Sequence, residues 1–412
     1  MQPRSPTPAL LALSLGYFTF GTSSLAVVGL SAPISSGLHV PAAQVGLLVS
    51  VFALTFAVAA PLAPVVLARV PRKRALLLGL GVMAIGGLLA AIAPSYGFLC
   101  GARVIGALGG AVFGPASSAA GSLIVPEERR PQALATVFGG MTAAAVLGVP
   151  LSSFLGNSLG WRWALTGVAV LTVLALVLVA LLLPEVEAGE RPTARAYRLV
   201  LGTPGTVPTV LTTLFFMAAQ FTVYGVAGAY IAARFGSPPS TVALVLLAFG
   251  VVGVIGNASG ARTYERFGGR ATITTTQVGL GAAFLALALV PHALPAALAV
   301  FAFWAFFSQL YQAPQQARLV ALLPDQRGIV LALNASALNI GVSLGSLLGS
   351  TALPWAGARL LSAIGLVPLA LAVVAHAVSV RRIRTAEPDP APDPAQGAGQ
   401  SADGTATALR TS

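Results

Sequence analysis

Long apolar runs alternate with short polar connections along the whole of this 412-residue chain. Twelve runs stand out, at about 9–30, 45–67, 75–93, 97–123, 133–155, 162–183, 207–230, 241–261, 271–290, 295–320, 329–350 and 359–380. A helix needs roughly 20 mostly apolar residues to cross the hydrocarbon of a bilayer. In that medium each backbone N–H and C=O must find its partner inside the segment, and these runs are too long for barrel strands. The pattern predicts an all-α integral membrane protein of twelve transmembrane helices, with no room for a separate soluble domain.

Charge orients the helices. Only 8% of the residues are charged, against roughly 25% in soluble domains. Placing both termini in the cytoplasm puts Arg69, Arg72, Lys73, Arg74, Arg129, Arg130, Arg191, Arg195, Arg198, Arg262, Arg266, Arg270, Arg327, Arg381, Arg382 and Arg384 inside, and only Arg162, Arg234 and Arg359 outside. That asymmetry is the positive-inside pattern of a plasma or inner membrane protein. The net charge of +12 is therefore a topology signal and not nucleic-acid affinity. The single cysteine, Cys100, excludes an intramolecular disulfide and a thiolate metal cluster.

The chain contains itself twice. Six spans lie in 1–183 and six in 207–384, joined by a cytoplasmic linker over 184–206 and followed by a Pro- and Gly-rich tail, 385–412, that is expected to be disordered. Gly160 and Arg162 recur as Gly357 and Arg359, Arg69 as Arg266, and Gly148 as Gly345, each 197 residues on (for example 357 − 160 = 197). Pro126-Glu127-Glu128-Arg129 is echoed by Pro324-Asp325-Gln326-Arg327 at an offset of 198. Two related six-helix halves are one of the architectures that support alternating access.

Between spans 8 and 9 the chain reads Gly260-Ala261-Arg262-Thr263-Tyr264-Glu265-Arg266-Phe267-Gly268-Gly269-Arg270. This resembles the G-x-x-x-D-R-x-G-R signature of the major facilitator superfamily. In the first-half copy, Ala68 replaces the acid, and Pro64 and Pro71 replace the glycines. Gly46-Leu47-Leu48-Val49-Ser50, Leu147-Gly148-Val149-Pro150, Gly160-Trp161-Arg162, Pro314-Gln315-Gln316-Ala317-Arg318 and Leu333-Asn334-Ala335-Ser336-Ala337-Leu338-Asn339-Ile340-Gly341 extend the resemblance over nearly the whole chain. They are similar to the twelve-span efflux branch for drugs, sugars and nucleosides, the arabinose-efflux-like permeases. The resemblance implies the major facilitator fold of two pseudo-symmetric six-helix bundles. It implies conformational roles for Arg69, Arg72, Glu265, Arg266 and Arg270 in the latch loops, for Arg318, and for Gly148 and Pro150 in the antiporter-like span 5. Physically, Gly148 admits a close helix neighbour and Pro150 removes a backbone hydrogen bond and bends its helix. The stripe Gly341, Gly345, Gly349 on span 11 should be a packing face.

The carboxylates depart from that branch. All acidic residues lie outside the predicted spans, although a proton-coupled carrier usually keeps a protonatable group in the membrane. Relatives commonly carry a glutamate two residues after a Gly-Thr pair in span 1; here Gly21-Thr22 is followed by Ser23 and Ser24. Arg103 lies about 9 Å inside span 4 at 1.5 Å per residue, at a depth similar to Ser24. Without an acid partner it has three roles open: capping span-1 carbonyls, contacting an anion or substrate, or relaying protons. His376 reads as an interfacial histidine at the cytoplasmic end.

Neutral polar side chains are left to line a cavity: Thr22 and Ser24, with Arg103, in the first half, and Gln220, Tyr224, Gln309, Gln312, Gln316, Asn334 and Asn339 in the second. Helical spacing puts Gln220 with Tyr224, and Gln312 with Gln316, on common faces. Three scattered histidines and no membrane acid leave no metal site and no catalytic set, so no enzyme and no cofactor are expected. The resulting expectation is a monomeric antiporter that exports a small drug-, sugar- or nucleoside-like molecule by alternating access, with membrane lipid around it and protons as a possible coupling ion. The absence of membrane acids keeps open an uncoupled facilitator or exchanger of a polar or anionic solute. A transport-dead sensor is a third reading, against which the polar cavity residues speak.

Overall fold

The computed structural model describes residues 6–187, 194–236, 239–291 and 293–386. Among these every regular element is a helix. Ten helical stretches are long and apolar enough to cross a membrane. Two of them, Thr241–Leu289 and Pro324–Thr385, hold 49 and 62 residues, which as straight rods of 1.5 Å per residue would run about 70–90 Å. Each is broken at one glycine with left-handed φ: Gly268 (φ 74°, ψ 164°) and Gly357 (φ 71°, ψ 166°). The two stretches thus make four crossings, and the total is the predicted twelve. Where a loop over 262–270 was expected, one residue does the work, because glycine has no Cβ to clash at positive φ. Gly160, the counterpart of Gly357, also takes positive φ (99°), so the internal repeat extends to backbone geometry.

The crossings are α1 (Thr7–Gly29), α2 (Ala42–Val66), α3 (Arg72–Ala91), α4 (Tyr96–Leu123), α5 (Glu127–Ser158), α6 (Trp161–Leu182), α7 (Thr206–Tyr224), α8 (239–267), α9 (269–289), α10 (Leu294–Leu322), α11 (327–356) and α12 (358–386). A short helix, Ala194–Gly202, lies within the predicted linker. The rest of that linker at 188–193 and the predicted disordered tail at 387–412 lie outside the described residues. In the first half α1 packs on α5 and α6, α3 on α4 and α6, and α2 on α4; in the second, α7 packs on α11 and α12, and α10 on the α8–α9 pair. The halves meet chiefly where α2 touches α11 and where α5 touches α8.

Small residues set these approaches. Gly341, Gly345 and Gly349, four residues apart on α11, face the carbonyls of Leu214, Ala218 and Thr222, four residues apart on α7. A methyl group on any of the three would overlap a carbonyl oxygen. Overpacking of this kind costs about 1–3 kcal/mol. Gly345→Leu is accordingly expected to lower the melting temperature of the detergent-solubilised protein, whereas Gly328→Leu, at an open position, should leave it in place. In α5, Gly140 meets the Ser14 carbonyl and Gly148 meets Thr22 Oγ1. The bend expected at Pro150 takes the form of a π-helical turn, Ala144–Gly148, just before it.

The two ends of the bundle differ. At the end away from the chain termini the halves touch almost backbone to backbone. Gly46 faces Gly225 and Val226, and Gly228 faces Ser31 and the Val28 carbonyl; nearer mid-height, Gly250 faces Ala145 and Val146. Ser50 adds a hydrogen bond from its Oγ to the Ser343 carbonyl at 2.9 Å. Toward the terminal end this cover is lost: seven of the ten residues 341–350 are buried, but only two of 331–340, and none of 58–66 on α2. The halves are closed at the distal end and parted at the terminal end.

Candidate functional site

The structure brings Ser24 and Arg103 together through the backbone. Arg103 is 5% exposed. Its Nη2 donates to the Ser24 carbonyl at 2.6 Å, its Nη1 to the Ser23 carbonyl, and its Nε to the Leu48 carbonyl at 3.4 Å. The guanidinium also sits 4.4 Å from the Phe52 ring centroid. Carbonyl capping is thus the one of its three sequence-level roles that this geometry realises. The adjoining cavity, lined by Ser23, Phe52, Gly86 and Gly106, holds about 20 Å³, enough for roughly one water and too little for a solute. Ser24 Oγ turns back to the Gly21 carbonyl at 2.8 Å, and Thr22 is packed against Gly148.

Arg234 escaped the sequence reading, which left it in an outer loop. It is 2% exposed, and its Nη2 and Nε donate to the carbonyls of Val290 (2.6 Å) and Leu287 (3.3 Å) at the end of α9. Arg162 does the same for Ala93 at the end of α3, at 3.0 Å, and 290 − 93 = 197, the repeat offset. The repeat of Arg162 itself, Arg359, is exposed. The repeated charge and the repeated cap have come apart in the second half, and only three-dimensional packing reveals it.

The second-half candidates divide among three surroundings. Gln220 and Tyr224 are buried, with the Tyr224 ring 4.8 Å from Phe249 and 6.2 Å from Trp304. Among the described residues Gln220 Oε1 and Trp304 Nε1 lack hydrogen-bond partners. Gln309 lies against Gly253 of α8, Gln312 is half-buried, and Gln316 is exposed. Asn339 donates to the Ala335 carbonyl of its own helix at 2.9 Å.

Asn334 belongs to a buried polar chain that sequence reasoning only partly found. Thr213 Oγ1 donates to Asn334 Oδ1 at 2.6 Å and lies 3.1 Å from the Tyr311 hydroxyl. Gln315 Nε2 donates to Thr213 Oγ1 at 3.0 Å and to the Thr209 carbonyl at 2.7 Å. Arg318 Nη1 reaches Gln315 Oε1 at 3.3 Å and His376 Nδ1 at 3.2 Å, and its Nη2 reaches Ser379 Oγ at 3.0 Å. Thr274 Oγ1 closes the chain at 3.3 Å from His376 Nε2. His376 is 5% exposed, with its ring nitrogens facing Arg318 and Thr274 inside the half.

The latch residues lie at the terminal end. Arg69, Glu265, Arg266 and Arg270 are exposed, while Arg72 is half-buried and lines an apolar recess of about 240 Å³ with Pro64, Leu67 and Pro115. Among the described residues the only ion pair is Arg130–Glu127 at 3.1 Å, so neither latch loop holds an acid–base pair in this arrangement. The second loop instead meets Arg318, whose aliphatic stem rests on Gly269. No cluster of three or more His, Cys, Asp or Glu side chains able to hold a metal occurs among the described residues.

A family model described as the Major Facilitator Superfamily matches residues 12–206 and 209–411. The chain belongs to the major facilitator superfamily. This facilitator is 32% identical over 349 residues to the inner membrane transport protein YdhP of Escherichia coli O157:H7, a match that covers 82% of this chain and 87% of that one. It is 25% identical over 366 residues, 89% of this chain and 92% of the relative, to a probable sugar efflux transporter of Mannheimia succiniciproducens. In fold it superposes with a TM-score of 0.72 and 19% identity on a bacterial homologue of the human lysosomal transporter Spinster, covering 93% and 98% of the two chains. The protein is a multi-pass membrane transporter and not an enzyme.

Proposed function

We propose that this major facilitator exports a small drug-, sugar- or nucleoside-like molecule across the inner (plasma) membrane by alternating access, as an antiporter. Two halves, 1–183 and 207–384, rock about a site between them near the midplane, with 184–206 as their cytoplasmic tether and both termini in the cytoplasm. The protein acts as a monomer. The observation that carries this reading is the unequal ends of the bundle. With the termini cytoplasmic, the parted end faces the compartment in which an exporter loads its substrate. The efflux name of the Mannheimia relative supports that direction, and the Spinster homologue was determined in an inward-facing, unoccupied conformation. Polar residues Gln312, Gln316 and Asn339, none fully buried, lie on helices that flank the opening, and they suit neutral polar solutes.

A second reading is favoured by a separate observation. Each acidic residue of the described segments sits at or near a helix end, so no carboxylate is available inside the membrane to carry a proton. That points to an uncoupled facilitator or exchanger of a polar or anionic solute. Efflux of a labelled drug, sugar and nucleoside panel from proteoliposomes, with and without an imposed pH gradient, separates the two. Uphill flux that collapses with the gradient is the expected result. Downhill flux indifferent to the gradient would establish the facilitator, and flux of none of the panel would remove these substrate classes.

A further inference from the structure

The buried chain ending at His376 contains the one side chain type whose ordinary chemistry exchanges a proton between about pH 5 and pH 8, in a membrane region that has no carboxylate. Its geometry fixes the tautomer. Arg318 carries only donors, so its Nη1, at 3.2 Å, must be donating to His376 Nδ1. The ring proton therefore sits on Nε2 and points at Thr274 Oγ1, which in turn donates to the Arg270 carbonyl at 3.0 Å. A proton arriving at the histidine has one place to go: the Nδ1 lone pair that Arg318 occupies. Donor would then face donor and cation would face cation. Proton and guanidinium cannot both hold this atom.

What Arg318 holds in place is the terminal-end part of α10, Gln312–Leu322. The helix runs on through Tyr311, whose φ and ψ stay right-handed helical (−66°, −37°), but it is weakened there because Pro314 has no N–H to offer the Leu310 carbonyl. Tyr311 is pinned by stacking on Phe216 at 4.0 Å. Beyond it, Arg318 ties the Gln312–Leu322 segment to α12 through His376 and Ser379, and Gln315 ties it to α7 through Thr209 and Thr213. The same segment carries Gln312 and Gln316 at the parted end of the bundle. The other charged or titratable groups facing this corner are Arg270, at the start of α9, and Tyr264 and Tyr311; none is an acid that would shelter a second positive charge.

We propose that His376 is the coupling-proton site of this transporter, and that proton binding at Nδ1 displaces Arg318 and releases the terminal-end segment of α10. The inference rests on the antiport reading and names its coupling group. The arrangement described here is the proton-free one, which an exporter open to the cytoplasm needs before it takes up substrate.

The test reads conformation and needs no substrate. In a Cys100→Ser background, spin labels at Leu123→Cys on α4 and Ala321→Cys on α10, both at exposed positions, report the width of the parted end by electron–electron distance measurement in nanodiscs. Acidification from about pH 8 to about pH 4, carried below the ordinary histidine range because the Arg318 guanidinium opposes the proton, is expected to change the distance distribution. His376→Asn retains an acceptor near the Nδ1 position and cannot take the proton, so it should keep the pH 8 distribution throughout. Arg318→Gln removes the competitor and should move the midpoint to higher pH. A wild-type distribution that ignores pH, a His376→Asn protein that still responds, or an unmoved midpoint in Arg318→Gln would each overturn the proposal. Proton-driven flux in the vesicle assay alongside a flat distance response would sink His376 as the site and leave antiport standing. Gradient-indifferent flux would instead remove the antiport reading on which the site depends.

Discussion

Arg103→Ala is expected to lower stability and transport together. The substitution strips the carbonyls of Ser23, Ser24 and Leu48 of a charged donor and leaves a void beside Phe52. Hydrogen bonds to a charged group are worth about 1.5–3 kcal/mol each; the helical carbonyls keep their own backbone partners, so the net loss should be about 2–4 kcal/mol. Arg103→Lys should recover little of it, because an ammonium cannot reproduce a rigid fork aimed at three oxygens on two helices. Melting temperature and flux measured side by side decide the role. A parallel fall identifies a brace between α1, α2 and α4. Lost flux at an unchanged melting temperature would show that the guanidinium serves the solute instead.

Gly250→Leu should produce the opposite pattern, a stable protein that does not transport. A Cβ at this position would lie 2.5 Å from the Ala145 carbonyl oxygen and 2.9 Å from Val146 Cα, a contact across the two halves. The first consequence of a leucine is therefore to hold the distal ends apart without disturbing either bundle. An overpacking penalty of about 1–3 kcal/mol spent on one conformation alone moves its population roughly 5- to 150-fold. Distances between labels on the distal ends of α5 and α8 should lengthen, the melting temperature should change less than in Gly345→Leu, and flux should fall at least about fivefold. Unchanged distal distances would show that the described closure is looser than its glycines imply.

These two positions also mark how far the sequence could be read. The twelve crossings were legible because hydrocarbon tolerates no unpaired backbone, and the repeat because its landmarks share one offset. The glycine stripe of α11 was legible as a packing face since four-residue spacing keeps side chains on one side of a helix. Its partner carbonyls on α7 were not, as backbone atoms carry no residue identity. Polar membrane residues were legible as a class, but not which of them pack inside a half. Gln312 and Gln316 drew attention by their spacing, yet Gln315 between them is the one buried and bonded, because helix phase relative to four neighbours decides burial. Arg234 looked like a loop charge for the same reason. Thr209 with Thr213, and Tyr311 with Gln315, are each four apart, a spacing that sets each pair on one helix face.

Gly268 and Gly357 have a consequence for how this family member can vary. A junction one residue long stores no slack, so the helix that follows inherits both its height and its rotational phase from the helix before it. Inserting a single residue there would turn α9 or α12 by about 100° and raise it about 1.5 Å, carrying Thr274 or His376 away from its partners. The length of the chain at these two points is in effect an indexing mechanism. Tolerance for added residues must reside elsewhere, and the stretch between α6 and α7, which already holds a short helix of its own, is the natural place for it.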